Sequence, residues 1–347
     1  MDGKYFTKIL HALNFQGEWL MSFFKQLFGQ KRTIKSPIFV KEFSKDNRQL
    51  AALQELLQKV VDGEKKDNIE RDIKLLKYGL DGENNVYFEL KNSFLPILCL
   101  HDVRIAYNDY VAQLDFVVIS HKFICLLETK KLSGNISIDR EGNFVRIMKT
   151  KDGKEYREGF YSPITQTMRH VDIIKHSLLN EMKFDKLPIY SLVVMANAKT
   201  IVNKYNCPAE IENVIIKYDQ IKATLERFLN DRTNTYDLSE KHMYDLANRL
   251  VALHSPIEMD LMAKYRLSLD DFSKKPEEQL REELKAYRLQ TSRAEKIKAY
   301  YIFNNNEMED LIAKYPRTEE ELLNVKGFGK AKVEKYGGQI LSIFNNS

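Results

Sequence analysis

Two short apolar runs stand out within residues 113–134, Phe116-Val-Val-Ile119 and Phe123-Ile-Cys-Leu-Leu127, split by a polar Ser120-His-Lys122 break. Short β-branched and aromatic runs around a three-residue polar turn predict a buried β-hairpin. Asp115 opens the first strand and Glu128 closes the second, so antiparallel pairing sets the two acids side by side. Alternation along the strand gives Glu128 and Lys130 one face, Thr129 and Lys131 the other. Further strands are expected over 103–107, 144–148, Ile189–Met195 and 214–217. Helical spacing appears over 48–61, 69–78, after Gly79 and Gly82, from Ile164, over 218–229 and over 239–253. Helices, strands, a helix and more strands predict an α/β sandwich around a mixed sheet. From Pro276 the chain reads as helical with short loops, and the Asn306/Glu309 and Thr318/Glu321 spacings are those of capping boxes. A small all-α C-terminal domain is expected there.

The first thirty residues carry Phe6, Leu13, Trp19, Phe23 and Phe28 at roughly helical intervals, interrupted by Gln16, Glu18 and Lys25. The segment is too broken to span a bilayer and lacks the continuous apolar core of a signal peptide. Packing or disorder is expected there ahead of a membrane-surface helix. Residues 31–46, with Pro37, read as a linker, which makes 1–46 an N-terminal arm.

With 347 residues, 44% hydrophobic and 30% charged, the chain is long enough for two or three domains. Cys99, Cys125 and Cys207 show no metal-type spacing and read as thiols of a reducing, cytoplasmic compartment. The net charge of +5 does not by itself argue for nucleic acid, and its excess lies in residues 1–78, which hold 15 basic and 10 acidic side chains.

The strand ends hold the candidate chemistry. Hard divalent cations such as Mg2+ or Mn2+ take carboxylate oxygens and keep several waters, so Asp115 and Glu128 can anchor one against a substrate phosphate. Such an ion polarises a phosphoryl group. Lys130 can orient the attacking water or neutralise developing charge. Glu83 shares a helix face with Val86 and Leu90, so a third carboxylate points inward and needs a partner. The plainer readings stay open: acids that merely end two strands, and a helix-start acid favoured by the helix dipole.

Asp115 followed by Glu128-Thr129-Lys130 resembles the acid and acid-x-lysine core of the PD-(D/E)XK nuclease superfamily. The wider frame, Gly79-Leu-Asp-Gly82-Glu83, Gln113-Leu-Asp115 and Glu128-Thr-Lys130 with Gly134, is similar to the NERD (nuclease-related) domain. The frame departs from that pattern at Phe116, Phe144 and Ser162, none a presumed ligand. The resemblance implies a restriction-endonuclease-like core, with Glu83, Asp115 and Glu128 as metal ligands. It makes Lys130, Asp115 and Glu128 catalytic residues and Gln166 an auxiliary one, near His170 on the same helical stripe.

Leu280-Arg-Glu-Glu-Leu, Tyr300-Tyr-Ile-Phe303, Tyr315-Pro-Arg-Thr318 and Val325-Lys-Gly-Phe-Gly-Lys330 resemble an HRDC domain, a helical module that accompanies RecQ-type helicases and RNase D. Gly327-Phe328-Gly329 before a helix leaves backbone N–H groups able to meet a phosphate, beside Lys326, Lys330 and Lys332. A glycine turn between packed helices is the alternative. No Gly-x-x-x-x-Gly-Lys-Ser/Thr stretch occurs, so no motor is indicated. The expected organisation is a nuclease-like domain over 47–254, a linker over 255–272 and an HRDC domain over 273–347. The expected activity is metal-dependent hydrolysis of DNA, with a DNA-processing protein as a further partner. The alternative is a nucleic-acid-binding or scaffold protein without turnover.

Overall fold

The computed structural model describes residues 32–345 apart from 45–46, 151, 206 and 258, so the expectations for residues 1–31 lie outside it. Its elements run β1 (Ile38–Lys41), α1 (Arg48–Lys59), α2 (Glu64–Lys91), β2 (Leu98–Tyr107), β3 (Tyr110–Ile119), β4 (Ile124–Lys130), β5 (Asn135–Ile138), β6 (Phe144–Lys149) and β7 (Glu155–Phe160). After these come α3 (Pro163–Ile174), β8 (Ile189–Met195), β9 (Val202–Asn203), α4 (Ala209–Glu212), β10 (Ile215–Lys217), α5 (Ile221–Leu229) and α6 (Glu240–Leu253). The helices α7 (Leu261–Tyr265), α8 (Glu277–Glu295), α9 (Asn305–Lys314), α10 (Glu319–Leu323) and α11 (Lys330–Asn345) complete the chain.

The described residues form two compact units, one within 32–44 and 77–257, the other within 47–76 and 259–345. In the first, a mixed six-stranded sheet runs β1-β2-β3-β4-β8-β10. The expected hairpin is its centre, with Phe116 opposite Leu127 and Ile119 opposite Ile124, while β8 lies parallel on the other side of β4. Alternation decides what each face buries. Val117, Ile119, Ile124 and Leu126 pack with Ile173 and Ile174 of α3 and Leu246 and Leu250 of α6. Phe116, Val118, Cys125 and Leu127 pack instead with Val86 and Leu90 of α2 and Ile221 and Leu225 of α5. Both faces are therefore covered, as near-continuous apolar strands require. A second sheet, β7-β6-β5-β9, encloses a smaller core around Ile136, Ile138 and Phe144. Of its four strands only β6 was expected.

Three expectations are corrected. The stretch read as a linker contains β1, which pairs parallel to β2, because Ile38, Phe39 and Val40 continue the sheet and Pro37 sits just ahead of the strand. Gly79 and Gly82 do not separate two helices, for α2 is continuous through both. A Cβ on Gly82 would meet the Lys131 Cβ at 2.7 Å and the Ala196 Cβ at 3.3 Å, so this glycine lets the helix approach the sheet. Residues 255–272 are not a bare linker either. Leu261, Tyr265, Leu267 and Phe272 pack on Leu53, Leu56, Val60, Ile69 and Ile73 of α1 and α2.

In the second unit a separate core joins Leu280 and Leu284 of α8, Phe303, Leu311 of α9, Leu322 of α10 and Ile340 and Phe344 of α11. The capping box of α9 is Asn304 with Glu307, two residues earlier than the spacing suggested, whereas Thr318 caps α10 as expected. No described helix is long and apolar enough to cross a membrane.

Candidate functional site

The hairpin register sets the site. With Phe116 opposite Leu127, the next position outward puts Asp115 opposite Glu128. Residues directly opposite in an antiparallel pair share a face with their Cβ atoms about 5 Å apart, and like charges there are destabilising. Glu128 is buried at 4% exposure, and Asp115 is half-buried. Asp115 Oδ2 accepts the Thr129 N–H at 2.7 Å. Burial first, then the negative charges of Glu128 and Glu83, raise the Asp115 carboxyl well above its usual range. Burial also raises Glu128, opposed by Lys130 and the Gln166 amide. Asp115 does not open its strand as expected but lies in the middle of β3, with Glu128 near the end of β4; two carboxylates that resist ionisation there make a site that favours an added cation.

The lysine and glutamine expected here converge on these acids. Lys130 Nζ donates to Glu128 Oε1 at 2.6 Å and to Gln166 Oε1 at 3.2 Å. Gln166 lies on α3, which starts cleanly because Ser162 caps it and Pro163 occupies its first turn. One turn on, His170 Nδ1 stands 3.8 Å from Glu128 Oε2. Burial and the Lys130 charge push His170 down to about 4, so the ring is neutral at physiological pH. Its helical spacing from Gln166 was the sequence signal for this role.

Lys131 takes the other face as the alternation required, with Nζ 3.4 Å from Asp81 and 4.5 Å from the Tyr78 ring. Glu83 approaches from α2, near enough for its charge to act on both acids, but its Oε2 accepts from His101 Nε2 at 2.7 Å. Among the described residues no three His, Cys, Asp or Glu side chains stand grouped as an ion would require. The donor chemistry nevertheless suits a hard cation such as Mg2+, which takes one or two carboxylates and fills its remaining positions with water and phosphate.

At the HRDC-like turn some of the expected groups are already engaged within the domain. Gly327 has φ +83°, and a Cβ there would overlap the Glu307 carboxylate. Lys332 Nζ is 3.1 Å from Glu307 Oε2, and the Lys326 N–H donates to Asp310 Oδ2 at 2.6 Å. Lys326 and Lys330 are exposed, while Phe328 is buried. A basic and aromatic surface also lies on 296–306, where the sequence shows Tyr300-Tyr-Ile-Phe303 only as part of the HRDC-like pattern. Both rings are exposed, at 53% and 63%, with centroids 4.7 Å apart. Lys298 Nζ lies 5.8 Å from the Tyr300 ring, and Arg288, Tyr300 and Asn304 to Asn306 line a recess of about 380 Å³.

Comparison with known proteins agrees with both halves. The nuclease-related domain (NERD) model matches residues 78–196, and the HRDC domain model matches residues 277–344. A 51-residue stretch is 43% identical to ATP-dependent DNA helicase Q-like 4B of Arabidopsis thaliana, covering 15% of this chain and 4% of that protein. Among solved structures, D. radiodurans RecQ HRDC domain 3 is 33% identical, covering 21% of this chain and 95% of that one, with a TM-score of 0.20. The chain thus carries a stretch that matches a nuclease-related domain, followed by one that matches an HRDC domain.

Proposed function

We propose that the chain is a divalent-metal-dependent nuclease that hydrolyses DNA phosphodiester bonds at the Asp115–Glu128 pair and uses its HRDC domain to hold nucleic acid. The observation that carries this reading is the cross-strand pair of like-charged carboxylates, both raised by burial, with Lys130, Gln166 and His170 gathered beside them. Asp115 and Glu128 would hold Mg2+ or Mn2+, with Glu83 as third ligand. When bound, such an ion neutralises phosphoryl oxygens and makes a neighbouring water more acidic. Lys130, released from Glu128, supplies a positive charge for the attacking water or the scissile phosphate. Gln166 keeps the ammonium on the site side of the sheet, and neutral His170 takes no charge from the acids. In the HRDC domain we assign nucleic-acid contact to Tyr300 and Tyr301 with Lys296 and Lys298, since exposed rings beside cations suit stacked bases and phosphates. The helicase relative's name supports DNA as the polymer.

A binding protein without turnover is the second reading, favoured by the 2.6 Å contact of Lys130 with Glu128 where a cation would compete. Cleavage of single-stranded, duplex and branched DNA, with and without Mg2+ or Mn2+, separates the two. Metal-dependent products from the parent that disappear in Asp115→Asn support the nuclease. DNA binding with no cleavage in either metal overturns it.

A further inference from the structure

We propose that His101 is a positioning residue that holds Glu83 in place for the cation site, an inference that rests on the reading of Asp115, Glu128 and Glu83 as ligands. His101 stands on β2 directly opposite Phe116, buried at 5% exposure. Its ring is packed between Phe43 and Phe116, with centroids 4.7 and 4.9 Å away. Aromatic contacts on both sides fix the plane of the imidazole and leave its Nε2–H one polar acceptor, the Glu83 carboxylate at 2.7 Å.

The backbone around His101 is shaped for this. Asp102 has φ +53°, a left-handed conformation disfavoured for a residue with a side chain. Three contacts keep it there. Lys41 Nζ donates to the His101 carbonyl at 2.8 Å and to the Asp102 carbonyl at 2.6 Å, and Gln113 donates to the Asp102 carboxylate. Burial lowers the Lys41 ammonium, the Asp102 charge opposing it, so this lysine is committed to the His101 and Asp102 backbone rather than to solvent. Lys41 at the end of β1 and Phe43 two residues on therefore supply both the clamp on the left-handed Asp102 backbone and one wall of the imidazole pocket.

A ligand carboxylate hydrogen-bonded by a fixed partner needs less ordering when the ion arrives. Removing such a partner typically weakens metal binding by about 10–100-fold. Glu83 sits on α2 and its charge acts on both Asp115 and Glu128, so without His101 its side chain has a wider choice of rotamers.

The test is calorimetric titration of the full chain with Mg2+ alone, together with circular dichroism and Tm. His101→Leu should keep the fold and weaken Mg2+ by about 10–100-fold, and His101→Gln, which retains an N–H donor, should restore most of that loss. His101→Leu in the Glu83→Gln background should add little, because His101 acts through the Glu83 carboxylate. If His101→Leu does not fold, His101→Phe, which keeps a ring between Phe43 and Phe116 but removes the N–H donor, carries the same cycle with and without Glu83→Gln. Parent-like affinity in His101→Leu, no rescue by Gln, or additive losses would overturn the role of His101 while leaving the cation site intact. A parent chain that binds no Mg2+ overturns the site itself.

Discussion

Asp115 and Glu128 face each other across a hairpin at a spacing where like charges repel, and the sign of that repulsion can be measured. The folded state holds the Asp115 proton more tightly than the unfolded chain does, chiefly through burial and then through Glu128 and Glu83. The stability this gives is fully present below the ordinary carboxylate range and is lost as pH rises through the raised folded value. In cation-free buffer at neutral pH, Asp115→Asn should therefore raise Tm by a few degrees, the scale of about 1 kcal/mol in a domain of this size. The gain should vanish on acidification, and added Mg2+ should raise the parent's Tm but not the variant's. A Tm that falls at every pH would mean the carboxylate is needed for structure. Lys130→Ala should leave metal affinity near the parent's and lower turnover about a hundredfold or more, the scale of one electrostatic group. Lys131 provides the contrast, since its ammonium lies over Tyr78 on the opposite face and its removal should leave cleavage nearly intact. Equal losses in both variants would make this strand end structural.

Strands rich in β-branched and aromatic residues were legible from local pattern, and β8 was expected at its observed bounds of Ile189–Met195. Elements defined by packing were not. Nothing local marks β7, because all but the last of its residues are exposed and its pairing comes from β6. The glycines of α2 misled because a mid-helix glycine is usually a weakness. Gly82 is required for contact with Lys131 and Ala196, whereas nothing lies within 4 Å of a Cβ at Gly79. Gly82→Ala should thus destabilise by about 1–3 kcal/mol through overpacking. Gly79→Ala should stabilise by about 0.5–1 kcal/mol through helix propensity. Chemical denaturation of the two variants checks the pair, and similar shifts in both would remove the close-approach argument. The site was legible at Asp115, Glu128 and Lys130 because they are near in sequence. His101 was not, since its contact with Glu83 joins β2 to α2 and no local spacing announces it.

Two domains on one chain raise the local concentration of nucleic acid for each other, so weak HRDC binding can still matter to a nuclease. Which surface provides that binding is open to a direct contest. The 326–332 turn has backbone N–H groups and lysines, but Glu307 and Asp310 already occupy Lys332 and the Lys326 N–H. The 296–306 surface presents two free-standing tyrosine rings with Lys298 beside them. Stacking of a base on an aromatic ring contributes about 1–3 kcal/mol, so Tyr300→Ala with Tyr301→Ala in the full chain should weaken single-stranded DNA binding by about tenfold or more. Salt dependence separates stacking from charge, because log K falls with log[salt] by about 0.7 for each phosphate contact on a single strand. The tyrosine variant should keep the parent's slope. Lys296→Ala with Lys298→Ala should lower the slope by about 0.7 to 1.4, and Lys326→Ala with Lys330→Ala should change it less. Fluorescence anisotropy across a salt series reads all three, and a larger slope change in the second lysine pair would return the contact to the glycine turn.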